Sequence, residues 1–77
     1  MPLSDLPEYE KRVQGILKAE LKRRGVTYAQ LSEKLAAIGI TEAEPNIRNK
    51  LARGKFSAAF MLQCLTAIGC STLRLEE

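Results

Sequence analysis

The residues best suited to bind another molecule are concentrated in one short segment. Positions 46 to 55 contain four cations, two asparagines and no acidic residue, which gives the segment a charge of +4 against +3 for the whole chain. Arginine can make a bidentate contact with guanine, and asparagine can do the same with adenine. The composition therefore favours nucleic-acid recognition. The polar residues of the segment are Asn46, Arg48, Asn49, Lys50, Arg53 and Lys55. A second cationic cluster comprises Lys22, Arg23 and Arg24.

Residue types that carry most catalysis and metal binding are scarce. The chain has no histidine and only two cysteines, Cys64 and Cys70. Their spacing of six fits neither a zinc site nor a redox pair. A cysteine nucleophile also needs a partner base. We therefore expect two reduced, apolar-packed cysteines, and we predict no enzyme, no metal site, no cofactor and no small-molecule substrate.

The length and hydropathy pattern limit the organisation of the chain. With 77 residues, it is expected to form a single domain over positions 1–77, without room for a deep cleft. The start of the sequence lacks the basic and apolar regions of a signal peptide. The uncharged stretch 56–73 is interrupted by Gly69 and is too short for a membrane span. We expect a cytoplasmic protein that does not contact a membrane.

Apolar periodicity predicts four helices, over about 8–24, 27–38, 45–53 and 57–68. The second begins with Thr27 and Gln30 at capping-box spacing, and the fourth begins after Ser57, a good N-cap. The start of the third is open, because Thr41 and Glu44 also have capping-box spacing whereas Pro45 prefers the first helical position. Residues 1–7 are predicted as an N-terminal arm and residues 71–77 as a tail.

Glycines mark the predicted helix ends. Gly25, Gly39 and Gly69 each follow a leucine by four positions and precede an apolar residue, which is the pattern of a Schellman stop. The apolar pairs are Leu21 with Val26, Leu35 with Ile40, and Leu65 with Cys70. Gly54 has lysines at the equivalent positions, so we expect its turn to face solvent or a ligand.

The fourth helix and the tail raise the question of a second subunit. The helix has almost no polar face, which indicates burial in the core or partly in an interface. The tail alternates apolar and polar residues, so it forms either an extended coil on the core or a strand paired with another subunit's tail. The residues assigned to a homodimer interface are Met61, Leu65, Leu73 and Leu75.

Two segments carry a resemblance to a known family. Residues 25–35, GVTYAQLSEKL, and 46–55, NIRNKLARGK, resemble the first part and the reading helix of Cro/repressor-type helix-turn-helix domains. Residues 57–69 look like the closing helix. The chain is also similar to a small bacterial domain family with an IRNK…RGKFSAAF segment, which implies a fold but no activity. The resemblance implies an all-α, four-helix domain of the lambda repressor-like type, with a turn lengthened by about five residues.

The resemblance also implies roles for individual residues. Arg48 and Asn49 match positions that face the major groove. Asn46 lies near the helix start, where it reaches either bases or backbone, and it is grouped with them as a base-reading residue. The predicted phosphate contacts are Lys50, Arg53 and Lys55, together with Lys22, Arg23, Arg24 and Tyr28. For Tyr28 the alternative is a half-buried aromatic of the core.

The leading hypothesis is a small transcriptional regulator that binds double-stranded DNA as a homodimer. The alternative is a protein-interaction module, or an RNA-associated factor, on a scaffold that no longer reads DNA. The lengthened turn and the acidic pair Glu42 and Glu44 favour that alternative.

Overall fold

Four helices form the described part of the molecule. The computed structural model describes the backbone of residues 2–73 and 75, and the side chains of residues 8–73 and 75. The helices are α1 (Pro2–Arg23), α2 (Tyr28–Ala37), α3 (Glu44–Arg53) and α4 (Ala58–Ala67). Within these residues there is no strand, so the predicted all-α, four-helix fold is confirmed. None of the helices in this part of the chain is long and apolar enough to cross a membrane.

One core joins all four helices. Helix α2 packs against α3 and α4, and α1 packs against the same two helices. Each helix contributes apolar side chains at helical spacing, which places them on one face. The buried members of this core are Leu17, Leu21, Leu31, Leu35, Ile47, Leu51, Phe60, Cys64 and Leu65. The core therefore fixes the orientation of α3, the helix that carries the candidate site.

Local hydrogen bonds define most helix ends as the sequence predicted. The Thr27 side chain accepts from the Gln30 amide, and the Gln30 side chain accepts from the Thr27 amide. The side chain of Ser57 accepts from the Phe60 amide. At the other ends, the amides of Val26, Ile40 and Cys70 donate to the carbonyls of the leucines five positions earlier. The capping box, the Ser57 cap and the three Schellman stops are confirmed.

Helix α3 starts differently from the other capped helices. It begins at Glu44 after an N-cap residue, Ala43, that makes no side-chain cap hydrogen bond. The capping-box alternative with Thr41 is therefore wrong. Pro45 occupies the second helical position, where its missing N–H group leaves no intrahelical bond unmade.

The first helix is longer than predicted. Helix α1 begins at Pro2, so residues 2–7 belong to it and do not form a separate arm; residue 1 lies outside the described residues. The prediction relied on the preference of Pro7 for a first turn. The fixed φ of proline is itself a helical value, so a helix can continue through it at the cost of one hydrogen bond.

The tail forms no strand over the described residues 71–73 and 75. Leu73 and Leu75 are 38% and 66% exposed. The Leu75 carbonyl accepts a long hydrogen bond from Arg12, at 3.5 Å. Residues 74, 76 and 77 of the predicted tail lie outside the described residues. Pairing with a second subunit's tail stays a prediction.

Candidate nucleic-acid interface

The outer face of α3 carries amide and guanidinium groups. Ile47 and Leu51 are fully buried in the core, so the side chains on the opposite side of the helix point outward. Asn46, Asn49 and Arg53 are all exposed, and their spacing of three and four places them along one face. We call Asn46, Asn49 and Arg53 the α3 outer face. This face contains two predicted base-reading residues, Asn46 and Asn49, and one predicted phosphate contact, Arg53.

Arg48 lies on the flank of α3 toward α2, away from the α3 outer face. Its guanidinium makes an ion pair with Glu44, one helical turn earlier. It also lies over the Tyr28 ring, 5.9 Å from the centroid. Tyr28 itself is half-buried and packs against the core. The third predicted base-reading residue therefore has an acidic and an aromatic partner within its own chain.

Lys50 is held by the lengthened turn. Its Nζ atom is 3.1 Å from a Glu42 carboxylate oxygen and 4.3 Å from the centroid of the Phe60 ring. The Ser32 hydroxyl donates to the Glu42 carbonyl at 2.6 Å. Glu42 thus ties the turn to α2 through its backbone and to α3 through its carboxylate. The prediction of Lys50 as a phosphate contact would require this ion pair to open.

The second cationic cluster is organised around a buried carboxylate. Glu20 is 3.0 Å from Arg23 and 3.7 Å from Arg24, and its side chain is almost completely buried. The hydrogen bond from Arg23 is the main cause that lowers the pKa of Glu20. Two predicted phosphate contacts are therefore already paired, whereas Lys22 is exposed and has no carboxylate within 4.0 Å in the described part of the chain.

The C-terminal end of α3 is fixed against α1. Gly54 is buried with a φ of 68°, and a Cβ atom at this position would lie 2.6 Å from the Glu10 carbonyl oxygen. The Gln14 side chain also donates to the Ala52 carbonyl at 3.1 Å. The expectation that this turn faces solvent or a ligand is wrong for Gly54, because the absence of a side chain lets the turn touch α1.

The residues on either side of Gly54 remain accessible. Arg53 and Lys55 are both exposed, and neither has a carboxylate within 4.0 Å among residues 8–73 and 75. The contact of Gly54 with α1 therefore holds two unpaired cations in place at the end of the α3 outer face. Sequence reasoning identified both cations but missed Glu10 and Gln14, whose roles depend on contacts about 40 residues apart in the sequence.

The predicted dimer residues divide between core and surface. Leu65 is 6% exposed, so its assignment to an interface is wrong. It packs inward because it is the leucine of the Schellman stop at Gly69. Met61 is half-buried against the core. Leu73 and Leu75 are exposed and remain candidates.

The two thiols lie in different surroundings. Cys64 is fully buried, and burial raises its pKa to about 12. Cys70 is half-buried, and its sulfur donates to the Thr72 carbonyl. No group of three or more cysteines and acidic residues that could hold a metal ion occurs in the described part of the chain.

A comparison with protein families returns one result. A family model described as Domain of unknown function (DUF6471) matches residues 9–73. The match extends from α1 through the first residues of the tail and includes the whole candidate interface. No curated protein and no solved structure matches the chain.

Proposed function

The chain belongs to the DUF6471 family, and from the α3 outer face we propose that it binds double-stranded DNA as a small transcriptional regulator. The observation that carries the proposal is the outward row of Asn46, Asn49 and Arg53, which has no acidic residue on it. Such a row offers the donors and acceptors that recognise adenine and guanine edges in a major groove. The proposal implies a cytoplasmic location.

The cations next to this row supply the backbone contacts. Arg53 and Lys55 are exposed and unpaired within the described residues, so binding to phosphate requires no ion pair to break. Lys22 is a further exposed cation, at the end of α1. Phosphate contacts of this kind position a protein on the duplex, and base contacts then provide sequence preference. The contact between α2 and α3 is compatible with the helix-turn-helix resemblance.

One observation favours the alternative of a protein-interaction module. Glu42 and Glu44 pair with Lys50 and Arg48, so the two cations that precede Arg53 in α3 present paired charges. DNA binding in this region would require exchange of carboxylate partners for phosphate or base partners. An interaction surface for a protein would need no such exchange.

The test is a binding titration of the full chain with duplex DNA over a range of salt concentrations. We expect log K to fall with log salt at a slope of about −2 to −4, as two to four phosphate contacts predict. The variant Arg53→Ala should weaken binding, whereas Lys34→Ala, which removes an exposed cation at the end of α2, should leave it nearly unchanged.

Sequence preference provides the second part of the test. Asn49→Ala should reduce the difference in affinity between preferred and random duplexes by about fivefold to 100-fold, as loss of a bidentate base contact implies. Absence of binding at about 50 mM salt would contradict the proposal. So would equal losses of affinity in the Arg53 and Lys34 variants.

A further inference from the structure

A groove beside the end of α1 has the chemistry to bind an apolar segment that carries acidic residues. It has a volume of about 390 Å³. Leu21, Val26 and Tyr28 supply its apolar part, and Lys18 and Lys22 lie at its edge. Both lysines are exposed, and no carboxylate lies within 4.0 Å of either in the described residues. The groove therefore combines apolar surface with two unpaired positive charges.

The tail of the same chain has the complementary character. Leu73 and Leu75 are exposed and lie two positions apart, and the sequence continues with Glu76 and Glu77. Residues 71–73 and 75 belong to no helix or strand, so adopting a bound conformation would break no regular structure. Five extended residues reach roughly 16 Å, which is enough to cross to a neighbouring molecule.

The tail does not lie on the groove of its own chain. Leu75 contacts Arg12, and Cys70, where the tail leaves α4, faces Glu20. Glu20 is two positions from both groove lysines, and residues two apart in a helix point roughly 160° apart. The tail therefore contacts α1 at Glu20 and Arg12, neither of which lines the groove, so the groove is open to the tail of another molecule.

We infer that this groove binds the tail of a second copy of the chain. Leu73 and Leu75 of one copy contact Leu21, Val26 and Tyr28 of the other, and the negative charge of the sequence after Leu75 complements Lys18 and Lys22. Two-fold symmetry makes the exchange reciprocal, so each dimer contains two identical contacts. This dimer leaves the α3 outer face and Lys55 uncovered. It occupies Lys22, which in the dimer binds the second tail in place of phosphate, and its formation does not depend on DNA.

Sedimentation velocity of the full chain, from about 1 µM to about 1 mM, tests the inference. We expect a monomer–dimer equilibrium for the wild type. Leu75→Ser should raise the dimer dissociation constant about 100-fold, because the substitution removes a leucine from both contacts. Leu62→Ser is the matched control, since Leu62 and Leu75 are both 66% exposed, and it should change the constant less than about twofold.

Charge reversal tests the groove separately. Lys22→Glu should raise the dissociation constant about tenfold, because it replaces attraction by repulsion in both contacts. Lys34→Glu is the control, since Lys22 and Lys34 are both exposed lysines in the last turn of a helix. Circular dichroism of each variant should show the helical content of the wild type.

A mixture of the Lys22→Glu and Leu75→Ser chains tests whether the groove and the tail bind each other. The Lys22→Glu chain keeps an intact tail, and the Leu75→Ser chain keeps an intact groove. A mixture should contain a mixed dimer that associates more tightly than the Leu75→Ser chain alone, because one of its two contacts is unaltered. A wild type that stays monomeric throughout would overturn the inference. So would a dimer that dissociates with Leu62→Ser but not with Leu75→Ser.

Discussion

The cations of α3 and of the turn that follows it have two kinds of surroundings. Within the helix, Arg48 and Lys50 pair with carboxylates. Where the helix ends, Arg53 and Lys55 are exposed and unpaired within the described residues, on either side of the buried Gly54. Charge counted along the sequence is therefore not the charge available to a ligand. The turn at Gly54 offers cations without a partner, whereas Arg48 and Lys50 must first leave a carboxylate.

The largest expected effect concerns the rigidity of the C-terminal end. Gly54→Ala should lower the free energy of unfolding by about 3 kcal/mol, because a Cβ atom would both strain a left-handed backbone and collide with the Glu10 carbonyl. Gly25→Ala has a similar φ but meets no atom within 4 Å, so it should cost only about 1 kcal/mol. Urea unfolding measures both. Equal losses of unfolding free energy in the two variants would show that the contact of Gly54 with α1 does not stabilise the protein.

The second prediction compares a lysine that has a carboxylate partner with one that has none. Lys55→Gln should weaken non-specific DNA binding about fivefold and reduce the salt slope by about 1, because it removes an available cation. Lys50→Gln should change the affinity by less than about twofold, because its charge is already paired with Glu42. Fluorescence anisotropy with a labelled random duplex measures both. A larger loss of DNA affinity for Lys50→Gln than for Lys55→Gln would contradict the distinction between the paired and the unpaired lysine.

The third prediction concerns the turn that holds the N-terminal end. Ser32→Ala removes the hydrogen bond to the Glu42 carbonyl. Relative to Thr66→Ala, a hydroxyl removal at an exposed helical position, it should lower the free energy of unfolding by about 1 kcal/mol. Thermal unfolding of the two variants provides the measurement. If Ser32→Ala and Thr66→Ala lower the free energy of unfolding equally, the Ser32 hydrogen bond does not stabilise the lengthened turn.

The smallest expected effect is a gain in stability. Ala43 has the extended backbone of an N-cap, with φ −73° and ψ 151°, but no side-chain cap. Ala43→Ser should therefore stabilise the protein by about 0.5–1 kcal/mol. The reverse change at α4, Ser57→Ala, should destabilise it by about 1 kcal/mol because it removes a hydrogen bond that is present. Loss of stability in Ala43→Ser would show that the start of α3 is constrained by the turn instead.

Sequence reasoning succeeded where the interactions are local. The Thr27 capping box, the Ser57 cap and the stops at Gly25, Gly39 and Gly69 each depend on residues within five positions of one another, so their patterns were readable. Leu65 was assigned to an interface although its place in a Schellman stop indicated burial. The Glu44–Arg48 pair was also readable, because the two residues are four positions apart.

The remaining features depend on contacts that the sequence does not encode locally. Gly54 meets Glu10 across two helices, and Lys50 meets Glu42 of the lengthened turn, which Ser32 ties to α2. A buried glycine at a helix end has the same sequence signature as an exposed one. The sequence therefore does not show which cations of the candidate site have a carboxylate partner. The folded structure does.

The most direct test of the central claim is an ¹H–¹⁵N NMR titration of the full chain with a short DNA duplex. The account predicts that the largest amide shift changes occur at Asn46, Asn49, Arg53 and Lys55, with smaller changes near the paired Arg48 and Lys50. Changes confined to the exposed side of α4 around Leu62, or no changes at low salt, would contradict it.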